Sequence, residues 1–131
     1  MTPRRVLVLW GPVLAYAGLL YALSDQSHLP AVAGLIWDKL QHASAWMGLT
    51  LLALRATHAG RGPMRWGATL AAASLGVAYG FADELHQSFV PGRDSSLLDV
   101  LADTVGTCCA VAAAAAWQSL RRRRGSGLSD A

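Results

Sequence analysis

Charge is scarce in this chain. Of its 131 residues only 15% are Asp, Glu, Lys or Arg, while 53% are hydrophobic, a balance that excludes an ordinary soluble domain. Cysteine is nearly missing as well. The two present, Cys108 and Cys109, are adjacent, which excludes a loop-closing disulfide between them and a metal site of the usual cysteine spacing. They read as small, polarizable packing residues. The chain also lacks an internal repeat, a second soluble domain and any nucleophile motif. Ser24, Ser88, Ser95 and Ser96 qualify as nucleophiles only by location.

What the chain has instead is four apolar runs, at about residues 6–23, 40–54, 67–87 and 97–120. Each approaches the ~20 residues that cross a hydrocarbon core of ~30 Å, although the second and third are short or polar at one end. The expected fold is therefore all-α, a four-helix transmembrane bundle within one domain, residues 1–131. Arg4 and Arg5 followed by an apolar stretch resemble a secretory signal, but the run continues past the small residues Ala15 and Ala17, which favours an uncleaved span.

Orientation follows from the arginines. With four spans, all of the eleven basic residues except Lys39 and Arg93 fall on one side, and all of the eight acids except Asp130 fall on the other. Short cytoplasmic loops accumulate Lys and Arg, so both termini are expected in the cytoplasm. The segment 121–131, opening with Arg121 to Arg124, is expected to be a basic, flexible cytoplasmic tail. The net charge of +3 and the pI near 9.3 are thus topology signals rather than a nucleic-acid footprint.

The acids concentrate between Tyr79 and Gly106. Asp83 and Gln87 lie four apart, as do Asp99 and Asp103, spacings that share a helix face. Gly76 and Gly80 continue the Asp83 face as a small-residue seam suited to helix packing in lipid. Pro91 and Gly92 suit a type II turn, and Ser96 with Asp99 three residues on resembles a capping box. At the start of the second run Asp38 and His42 are again four apart, beside Lys39. Packed along the seams, the runs would gather Asp25, Asp38, Lys39, His42, Asp83, Glu84, Gln87, Arg93, Asp99 and Asp103 around one extracytoplasmic hollow. Ionisable groups at membrane depth are costly and mark pairs or functional sites. So many carboxylates need Arg93, Lys39, His42 or a divalent cation to compensate them.

At these residues the chain resembles the VanZ-like membrane protein family. The resemblance rests on Asp38-Lys39-x-x-His42, on Tyr79-Gly80-x-x-Asp83-Glu84-x-x-Gln87, on Pro91-Gly92-Arg93, and on Asp99 followed by Gly106. It covers about residues 5 to 117. The chain departs from that pattern at Ala43, Trp46 and Asp103, where the family commonly has Phe, Tyr and Asn.

The resemblance implies a multi-pass protein of the cytoplasmic membrane that serves the cell envelope, the founding member being associated with low-level teicoplanin resistance. The expected ligand is a membrane lipid or lipid-linked envelope precursor at the outer leaflet. Arg93 and Lys39 would meet its anionic group, and Asp38, His42, Asp83, Glu84, Gln87, Asp99 and Asp103 would position the rest. No organic cofactor is called for. Two other readings stand beside it. One is an intramembrane hydrolase or transferase with Asp83 or Glu84 as base and His42 as acid or base partner. The other is a structural protein that uses its small-residue seams to bind a membrane partner or a second copy of itself.

Overall fold

The computed structural model describes residues 1–27, 35–59 and 63–126. These contain four α-helices and no strand: α1 (Pro3–Ser24), α2 (Leu35–Thr57), α3 (Trp66–Gln87) and α4 (Leu97–Ser126). All-α architecture is as the apolar runs predict. The expected tail at 121–131 is helical as far as Ser126, because α4 continues through Arg121 to Arg124 without a breaker. The second helix begins before the apolar run at 40–54. Leu35 already opens α2, and residues 28–34 lie outside the described part.

Each helix end has a local cause. Thr2 caps α1, its hydroxyl accepting from the Arg5 amide, with Pro3 in the first turn where a missing N–H costs nothing. Pro12, inside α1, deprives the Val8 carbonyl of its helical donor. The Arg55 guanidinium of α2 donates to that carbonyl at 3.2 Å. Between α2 and α3, His58 is buried. Its Nδ1 donates to Leu54 O at 2.9 Å, and its Nε2 accepts from the Arg65 amide at 3.1 Å. Arg65 is the N-cap of α3 and has no side-chain cap of its own, so the histidine takes an orphan amide at that helix start. Between α3 and α4, Arg93 N donates to Val90 O and Gly92 has φ 81°, the positive φ that a type II turn requires at its third position.

The helices run up, down, up, down. Contacts at one end join Arg5 to Ala59 and Met64 to Gln118; contacts at the other join Asp25 to His86 and Lys39 to Asp99. Helix α2 is central, packed against the other three, whereas among the described residues α1 touches α2 and α3 and not α4. The main apolar cluster is Leu9, Val13, Leu20, Trp46, Leu49 and Ala56, joining α1 to α2. Where α2, α3 and α4 meet, small residues admit close approach. Gly106 lies against the Ala43 carbonyl, and a Cβ on Gly76 would fall 2.6 Å from the Thr50 hydroxyl and 2.8 Å from that of Thr107. The expected Gly76/Gly80 seam is thus in contact with both α2 and α4. Trp46 Nε1 donates to Gly76 O at 3.0 Å, satisfying the one polar atom of a buried indole.

Helices α1 and α4, over Pro3–Ser24 and Leu97–Arg123, are long and apolar enough to cross a membrane. The other two apolar runs do not reach that measure. Polar side chains interrupt both, Gln41, His42 and Arg55 in α2 and Asp83 and Glu84 in α3. Large apolar residues nevertheless stay exposed around the bundle, including Leu14, Leu19, Leu70, Phe81, Leu101 and Val105.

Candidate functional site

The end of the bundle where α2 and α4 begin and α3 finishes brings together most of the polar residues singled out in the sequence. Lys39 contributes the positive charge. Its Nζ bonds Asp38 Oδ2 at 2.8 Å and also contacts Asp99 Oδ1. Two carboxylates thus face one amino group.

One turn further along α2, His42 is directed at α4. Nδ1 lies 3.1 Å from Asp103 Oδ1 and Nε2 lies 3.7 Å from Asp99 Oδ1. The Trp46 ring stacks on the imidazole, centroids 5.8 Å apart, and limits its rotation. Asp99 and Asp103 reach His42 together because they are one helical turn apart on α4. Both are buried, as are Asp83, Glu84 and Gln87 on α3.

On α3 the spacing of four gives the expected pair, Gln87 Nε2 donating to Asp83 Oδ2 at 2.8 Å. Glu84 does something the sequence did not indicate. Its Oε2 accepts from the backbone amide of Ser96 at 2.7 Å, while the Ser96 hydroxyl accepts from the Leu98 amide. In the expected capping box Asp99 would have taken the Ser96 amide. Glu84 takes that role from a neighbouring helix, and Asp99 is free to meet Lys39 and His42.

Two further departures concern partners. Arg93 is half-buried in the turn and makes no ion pair with Asp83, Glu84 or Asp99 among the described residues. Lys39 holds the carboxylates instead, since it reaches from near the start of α2 across to Asp99 in the first turn of α4. Asp25 stands apart from the cluster and pairs with His86 at 3.2 Å, under the Tyr21 ring. His86 was not picked out from the sequence. Its position two residues after Glu84 puts it on another face of α3, and only the approach of α1 gives it a partner.

The arrangement offers one fixed ammonium, one imidazole and four carboxylates, from Asp38, Glu84, Asp99 and Asp103, at the end of an otherwise apolar bundle. Such a set can hold a group with hydroxyl or ammonium donors beside one anionic oxygen, can exchange a proton, or can coordinate a cation. A model of the VanZ/LLP1 family matches residues 13–118. No curated protein and no solved structure matches the chain.

Proposed function

The chain belongs to the VanZ/LLP1 family, and from that premise we propose that it is a multi-pass protein of the cytoplasmic membrane that binds a lipid headgroup or lipid-linked envelope precursor at its carboxylate end. All four helices span, both termini lie in the cytoplasm, and the protein contributes to envelope homeostasis or to glycopeptide resistance of the teicoplanin type. The observation that carries this reading is the gathering of buried Glu84, Asp99 and Asp103 with half-buried Lys39 and His42 at one end of a bundle ringed by exposed Leu, Val and Phe. Burying ionisable groups in such a setting is costly. A pure packing contact between helices has cheaper solutions in small apolar residues. Lys39 faces the anionic oxygen of the ligand, and Asp38, at the half-exposed rim, takes a hydroxyl or ammonium.

Orientation is checked by thiol labelling in a Cys108→Ala/Cys109→Ala background. A cysteine replacing Asp94 is expected to react from the extracytoplasmic side and one replacing Ala59 only after the membrane is opened; the reverse pattern would invert the topology.

The ligand is tested by native mass spectrometry of protein released gently from its own membrane, beside a Lys39→Gln/Asp99→Asn double variant that removes one charge of each sign. An isoprenoid-phosphate or glycolipid adduct on the wild type and not on the variant is the expected result. If both forms carry only bulk phospholipid, the headgroup reading fails.

A further inference from the structure

Three helices each deliver one ligand-type side chain to the same point. Among the described residues, one donor atom from each of His42, Glu84 and Asp99 lies within 4.8 Å of the other two. Lys39 by itself would account for Asp99, but two features remain. The first is Glu84 Oε1, which is buried without a hydrogen-bond partner on a residue only 6% exposed. The Ser96 amide fixes the other oxygen of the same carboxylate, so Oε1 has lost its hydration with nothing returned. The second is the pairing of His42 Nδ1 with Asp103. An ionised carboxylate only accepts hydrogen bonds, so Nδ1 donates to Asp103, and Nε2, 3.7 Å from Asp99, is the nitrogen left to bind an ion once it gives up its proton. A carboxylate orienting an imidazole in this way is the usual second layer of a metal site.

We propose that His42 Nε2, Glu84 Oε1 and a carboxylate oxygen of Asp99 form a binding site for a divalent first-row transition ion such as Zn²⁺ or Mn²⁺. Asp103 positions His42, and Lys39 competes with the ion for Asp99. One imidazole with two carboxylates is a mixed nitrogen and oxygen set, which suits these ions better than Ca²⁺ or Mg²⁺, whose ligands are oxygens. Metal–ligand bonds of about 2.0–2.2 Å put donors on a tetrahedral ion roughly 3.4 Å apart, so the three groups close by about an ångström. That is a side-chain adjustment of Glu84 and Asp99 rather than a helix movement. Three protein ligands leave a coordination position for water or for an oxygen of a bound molecule. When the ion engages Asp99, the Lys39 ammonium stays neutralised by Asp38, with which it is already paired. The dication also offsets the excess of carboxylates that one lysine cannot balance.

The test uses the full chain in detergent micelles, stripped with chelator and with no lipid added, in the Cys108→Ala/Cys109→Ala background so that the exposed thiols do not bind metal. Zn²⁺ alone is titrated by calorimetry, and Co²⁺ alone is followed by its visible absorption. One ion per chain is expected. Glu84→Gln, which keeps an oxygen for the Ser96 amide, is expected to weaken binding at least 100-fold. Asp103→Asn is expected to weaken it about 10- to 100-fold and to shift the Co²⁺ bands, as a change in imidazole orientation requires. Lys39→Gln is expected to tighten binding about tenfold or more, a gain that a misfolded protein cannot imitate. Absence of stoichiometric binding in the wild type, unchanged affinity in Glu84→Gln, or weaker binding in Lys39→Gln would each overturn the proposal. With no lipid in the experiment, its failure leaves the headgroup reading standing, and that reading is judged by the native mass spectra alone.

Discussion

A histidine stands at each end of helix α2, His42 inside it and His58 just beyond Thr57, and the two are used in opposite ways. His58, at the arginine end, has both ring nitrogens committed to the backbone, Nδ1 to Leu54 O and Nε2 to the Arg65 amide. Its tautomer is fixed by groups that never change charge. His42, at the other end, faces Asp99 and Asp103 and rests on Trp46, so its partners are themselves ionisable. Burial and residue type do not separate the two, because both are largely enclosed. The partners do. A histidine satisfied by main-chain groups is part of the scaffold, and one held among carboxylates has chemistry left over.

The most damaging way to break this contrast is to spoil the scaffold on which the carboxylate end depends. Gly106→Leu drives a side chain into the Ala43 carbonyl and is expected to cost about 3 kcal/mol or more, seen as a large loss of thermal stability in detergent. Ala113→Leu, on an exposed part of the same helix, is expected to be silent.

Exchanging the two histidines for apolar or amide groups sharpens the comparison. His58→Leu leaves the Arg65 amide without its acceptor and is expected to cost about 1–3 kcal/mol while ligand and ion binding persist. His42→Gln is expected to abolish ion binding at a smaller stability cost. Equal stability losses with binding intact in both would make His42 as structural as His58.

A smaller effect is expected at the arginine end of α1. Arg55→Met strips the donor from the Val8 carbonyl and should lower the melting temperature by roughly 2–4 °C. Pro12→Ala restores an intrahelical donor to that carbonyl, so in the double variant the arginine should no longer matter. Additive losses would show that Arg55 acts through something other than this carbonyl. Asp25→Asn, which breaks an exposed pair with His86, should change stability by no more than about 0.5 kcal/mol and leave ion binding untouched, separating this carboxylate from the four in the cluster.

Much of this was legible from residue order because it is local. Apolar runs bounded by Gly and Pro gave four helices, the spacing of four paired Asp83 with Gln87, and Pro91-Gly92 gave its turn. The parts that were not legible depend on how one helix is rotated against another. Nothing near Glu84 says that it reaches the Ser96 amide twelve residues on, and nothing near Arg93 says that Lys39, sixty residues before Asp99, takes its expected place. The polar residues that interrupt α2 and α3, such as Gln41, His42, Asp83 and Glu84, are also legible in order, but which neighbour each one meets is not.

The sixty residues between Lys39 and Asp99 also set the order in which the protein is made. A ribosome that has released α1, α2 and α3 has produced His42 and Glu84 but neither Asp99 nor Asp103, and the Glu84 carboxylate has no Ser96 amide to hold. The fourth helix is therefore the one that completes the polar cluster, and until it emerges His42 lacks Asp103 and Glu84 lacks the Ser96 amide.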